Sequence, residues 1–145
     1  MGRSGGPRSL SARRSLSGGY LLDTNVALFA AAAPEMLSRA VRTALKTGPN
    51  VLSVIAFWEV TLKSSKGKLD VGDPLEWWEN SLTDLAATSL PLRPAHVAAI
   101  RGLASIHQDP FDRALIAQSM VEGLTLLTSD EVIPRYASQR FRVIG

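Results

Sequence analysis

Four acidic residues stand where chemistry is most plausible in this chain: Asp23, Glu59, Asp112 and Asp130. Asp23 closes Tyr20-Leu21-Leu22, Glu59 follows Phe57-Trp58, Asp112 ends Asp109-Pro110-Phe111-Asp112, and Asp130 ends Leu126-Leu127-Thr128-Ser129-Asp130. Four carboxylates brought to one place would repel one another, and some would be forced neutral. A hard divalent cation removes that conflict, and an all-oxygen donor set suits magnesium, with manganese able to substitute. Such an ion acidifies a bound water and steadies charge on phosphate oxygens, which is enough for phosphodiester hydrolysis without a protein nucleophile. The chain has no cysteine and two histidines, which excludes disulfides, thiolate nucleophiles, zinc–thiolate sites and histidine-rich metal sites.

Each acid also has an ordinary explanation. Asp23 at a strand's end can cap the next helix. Glu59 and Lys63 have the spacing of a surface ion pair on a helix. Asp109 and Asp112 lie at one helix start, and either of them could face the site. Asp109 precedes Pro110 and has the position of an N-cap, whereas Asp112 lies in the first turn, against the positive end of the helix dipole.

The elements that must position these residues alternate along the chain. Strands are expected at Tyr20–Leu22, Val51–Val54, Ala87–Leu92, Leu124–Leu127 and Phe141–Ile144. Helices are expected at Val26–Ala33, Glu35–Thr47, Ile55–Lys66, Pro74–Asp84, Ala95–Ser105, Pro110–Val121 and Glu131–Tyr136. The second helix should bury Met36, Leu37, Val41, Ala44 and Leu45; the third, Ile55, Trp58 and Leu62 with Val60 beside them. Val97, Ile100 and Leu103 should face inward from the helix after the third strand. Trp77-Trp78 suits core or interface packing better than base stacking. Gly123 supplies a helix stop, and Leu124 to Leu127 is a short apolar run of the kind found inside parallel sheets. This alternation predicts an α/β domain with a mainly parallel central sheet, whose ligands gather at the carboxyl ends of the strands.

At 145 residues and 46% hydrophobic, the chain makes one globular domain. The net charge of +3 is a poor guide to partners. Arg3, Arg8, Arg13 and Arg14 fall within residues 1–19, which contain no acid, and the rest of the chain has one more acid than base. Residues 1–19, rich in Gly, Ser and Arg, are expected to be a disordered basic leader, and residues 20–145 the folded domain. The leader has no apolar core of a secretory signal, and Val26 to Ala33 is too short to span a bilayer. A cytoplasmic protein without a membrane partner is expected. No G-x-x-x-x-G-K-[ST], G-x-G-x-x-G or G-x-S-x-G motif occurs, which removes the phosphate cradles and nucleophile elbow that they mark.

From Tyr20 onward the sequence resembles the PIN domain, specifically the VapC-like ribonuclease toxins of type II toxin–antitoxin pairs. Leu22-Asp23-Thr24-Asn25 is similar to the family's opening motif, and Ser53 to Val60 resembles the segment bearing its glutamate. His107 to Ser119 resembles H-x-D-P-F-D-R-x-L-I-A-Q-A, with Ser119 in place of the last alanine, and Leu126 to Asp130 resembles the closing motif. The resemblance implies a three-layer α/β/α PIN-like fold. It implies that Asp23, Glu59, Asp112 and Asp130 bind Mg2+ (or Mn2+) and carry catalysis. Around them, Asn25, Ser53 and Thr128 match its supporting polar residues, and Asp109 is added to these as a cap. The implied partners are an RNA substrate, a protein antitoxin that blocks the site, and a second copy of the chain in a homodimer. Two other functions fit the same residues: an RNA-processing PIN nuclease that is not a toxin, and a non-catalytic PIN-like interaction module.

Overall fold

The computed structural model describes residues 18–103 and 109–145. The expected leader up to residue 17, His107 and the end of the helix expected at Ala95–Ser105 lie outside the described residues.

Five strands among the described residues form one sheet: β1 (Tyr20–Leu22), β2 (Asn50–Ser53), β3 (Ala87–Leu90), β4 (Thr125–Leu127) and β5 (Arg142–Ile144). Every pairing is parallel, and the order is β3-β2-β1-β4-β5. Among the described residues six helices accompany them: α1 (Thr24–Ala32), α2 (Arg39–Thr47), α3 (Val54–Ser65), α4 (Pro74–Asp84), α5 (Pro94–Ile100) and α6 (Pro110–Glu122). The sheet is therefore entirely parallel, and helices cover both of its faces.

Strand side chains alternate between the two faces, and the core divides accordingly. Leu21, Val51 and Leu126 pack with Ala114, Leu115, Ile116 and Ala117 of α6. Leu22, Leu52 and Leu127 pack on the other side with Val26, Val41, Ala56, Val60 and Trp77. The buried Trp77 is thus a core residue, and Trp78 stacks on Phe57, which ties α4 to α3.

Several helix starts follow from local chemistry. Asp109 caps α6 by accepting the amides of Phe111 (2.8 Å) and Asp112 (3.2 Å), with Pro110 at the first position. Gly123 ends the same helix at φ 69°, the left-handed region that glycine enters at little cost. Ser53 caps α3 by accepting the Ile55 amide at 3.0 Å, so Val54 belongs to the helix and not to the expected strand.

Other expectations need correction. The helix expected over Glu35–Thr47 is two pieces, a short 3-10 turn at Pro34–Met36 and then α2. Leu37 is extended and Ser38 caps a fresh helix through the Val41 amide, which leaves Met36 exposed. Helix α3 buries Ile55, Ala56, Glu59 and Val60, whereas Trp58 is 53% exposed and Leu62 also faces water. The helix can turn Glu59 inward because that carboxylate finds partners in Thr24 and Lys63. Likewise Val97 of α5 is 51% exposed, and the buried residue is His96. The His96 ring accepts the Arg93 amide at Nδ1 (2.9 Å) and bonds Glu122 Oε2 through Nε2 (2.8 Å), which locks α5 onto α6. The last expected helix is a 3-10 turn, Ile133–Tyr136.

Candidate active site

The strand order has one reversal. From β1 the chain builds outward to β2 and β3, then returns to place β4 on the other side of β1. The connections leaving β1 and β4 diverge there, and open parallel sheets bind ligands in such a crevice. Leu22 pairs with Leu127, so Asp23 and Thr128 leave the sheet side by side. The Thr128 hydroxyl donates to Asp23 Oδ2 at 2.7 Å and accepts the Asp130 amide at 3.0 Å. One buried threonine thus fixes both acids. Asp130 Oδ1 also accepts the amides of Val132 (2.6 Å) and Ile133 (3.1 Å), which holds the loop after β4.

Asp23 is 5% exposed. Its Oδ1 accepts the Asn25 amide at 3.3 Å, so it caps α1 as well as lining the crevice. Burial raises its pKa; the bonds from Thr128 and Asn25 act the other way, and the charges of Glu59 and Asp130 raise it further.

Glu59 reaches the same crevice from α3 and is 5% exposed. Its Oε1 accepts the Thr24 hydroxyl at 2.7 Å, and its Oε2 takes the Lys63 ammonium at 2.8 Å. The pair expected of residues four apart on a helix is therefore present, but its acid is buried. Thr24 is the residue that sequence reasoning overlooked; its one signal was its place directly after Asp23.

Asp112 enters from the first turn of α6. Edge-on packing of Trp58 against Phe111, ring centres 5.2 Å apart, brings the neighbours of Glu59 and Asp112 together. Burial pushes the Asp112 carboxyl up to about 7, and the negative charges of Asp23, Asp109, Glu59 and Asp130 add to that. Four elements therefore deliver Asp23, Glu59, Asp112 and Asp130 within electrostatic reach of one another.

The remaining expected residues sort by position. Asp109 is used as a helix cap, and buried Ser53 likewise caps α3. Asn25 supplies its backbone amide to Asp23, while its side chain lies on the exposed side. Among the described residues, no three carboxylate or imidazole groups are drawn tightly enough to enclose an ion in this arrangement. The donor set nevertheless fits a hard divalent cation: all oxygen, buried at Asp23 and Glu59, and mutually repulsive without a counter-charge.

The fold is similar to that of VapBC2 from Rickettsia felis bound to a DNA fragment from their promoter, with a TM-score of 0.61 at 15% identity over 86% of this chain and 96% of that one. It is similar also to DNA-bound VapBC from Salmonella typhimurium, with a TM-score of 0.62 at 15% identity over 88% of this chain and 97% of that one. A toxin–antitoxin complex from Klebsiella pneumoniae gives 0.56 at 17% identity over 87% and 96%. No curated protein matches the chain in sequence. Residues 20–139 match the PIN domain, and the chain belongs to that family.

Proposed function

We propose that this chain is a magnesium-dependent endoribonuclease, the toxin of a toxin–antitoxin pair. The observation that carries the reading is the convergence of Asp23, Glu59, Asp112 and Asp130 at the reversal of strand order in a PIN domain. These four acids would hold the cation, and burial with neighbouring negative charge raises the pKa of Asp23 and Asp112. When bound, the cation supplies an acidified water and neutralises charge on the phosphate being cleaved.

The chain's own residues set the geometry. Thr128 orients Asp23 and Asp130, Thr24 orients Glu59, and the first turn of α6 presents Asp112 with the dipole behind it. Similarity in fold to VapBC and other toxin–antitoxin complexes supports a protein antitoxin as partner. A homodimer in the cytoplasm completes the proposal; no helix among the described residues is long and apolar enough to cross a membrane.

The test is incubation of purified protein with structured RNAs. Cleavage should appear with magnesium or manganese and vanish in EDTA. Cleavage that persists in EDTA contradicts the metal requirement, and no cleavage of any RNA with either ion contradicts the activity.

A further inference from the structure

Lys63 lies one helical turn beyond Glu59 and presents an unequal pair. Its side chain is 45% exposed, whereas that of Glu59 is 7% exposed. An ordinary surface pair contributes little, because both partners are solvated. Here the acid is buried, while the lysine side chain reaches solvent. Both Glu59 oxygens are engaged, one by Thr24 at 2.7 Å and the other by Lys63 at 2.8 Å. The ammonium also feels the charges of Asp109 and Asp112, and its attachment to Glu59 raises its own pKa, so it stays charged.

We infer that Lys63 is the built-in counter-ion of the acid cluster: its ammonium holds the Glu59 carboxylate until a divalent cation draws that carboxylate away, so Lys63 sets the cation affinity of the site. It is a positioning residue acting through Glu59, and the inference rests on the metal-site reading above. In the metal-free protein Lys63 limits repulsion among the acids and keeps Glu59 folded against Thr24. A bound cation would take the Glu59 carboxylate from Lys63, whose ammonium would keep its charge in solvent.

Titration calorimetry of Mn2+ into the full, metal-stripped chain tests this. Lys63→Met should bind Mn2+ about tenfold more tightly than wild type, the scale of one charge-assisted hydrogen bond that the ion no longer has to displace from Glu59. Lys63→Arg, which keeps the charge, should stay within about twofold of wild type. In a Glu59→Gln background the gain from Lys63→Met should shrink to under about threefold, because the group competed for is gone. Unchanged or weaker binding by Lys63→Met, while wild type binds and Asp112→Asn does not, overturns the role of Lys63 alone. A full gain that persists in the Gln background overturns the action through Glu59. Wild-type protein that binds no Mn2+ overturns the metal-site reading and this inference together.

Discussion

At Thr128 a single hydroxyl serves two acids, donating to Asp23 and accepting the Asp130 amide. Thr128→Val keeps the shape and removes both bonds. It should lower cleavage by about 10- to 100-fold, as loss of a group supporting a metal ligand commonly does, with circular dichroism unchanged. Thr128→Ser should restore most of the rate; a valine variant with full activity would remove Thr128 from the account. The acids also set a pH dependence. The folded-state pKa of Asp112 is about 7 against an ordinary 3.8, and that of Asp23 is raised as well. A carboxyl raised on folding contributes stability below its unfolded value, and that contribution is lost as pH rises through the folded value. Metal-free protein should therefore melt at progressively lower temperature as pH rises from about 5 to about 8, and magnesium should reduce that fall. Melts in EDTA and in magnesium across this range measure both; a rise in melting temperature with pH in EDTA would contradict the sign.

The elements place these residues through a few short strands. Leu21 is fully buried at the centre of the sheet, two residues before Asp23. Leu21→Ala should cost about 2–5 kcal/mol in chemical denaturation and reduce cleavage as well, because β1 is the base on which Asp23 stands. Much at this scale was legible beforehand. The α4 boundaries follow from its proline start and amphipathic pattern, and the start of α6 follows from Asp109-Pro110. The break at Leu37-Ser38 was not legible, because a serine within an apolar periodicity reads equally as helix interior or cap. Nor was the buried face of α3. Trp58 and Leu62 have the spacing of a core stripe, and only the partners of Glu59, one of them 35 residues away, explain why the acid turns inward.

Across the whole molecule, the order β3-β2-β1-β4-β5 is what brings the four scattered acids of the proposed site to one crevice. The sequence pattern predicts the parallel strands that are found, and the motifs single out four acids as candidates. Which strand neighbours β1 depends on packing far apart in the chain, and no local pattern encodes it. The central claim is that Asp112 faces the cation while Asp109 only starts the helix. Parallel melts and RNA-cleavage assays on Asp112→Asn and Asp109→Ala test it most directly. Asp112→Asn should abolish cleavage and leave the metal-free protein as stable as wild type or more so. Asp109→Ala should lose about 1 kcal/mol, the usual worth of an N-cap, and still cleave RNA. An Asp109→Ala protein that is fully stable yet inactive, beside an Asp112→Asn protein that still cleaves, would contradict the account.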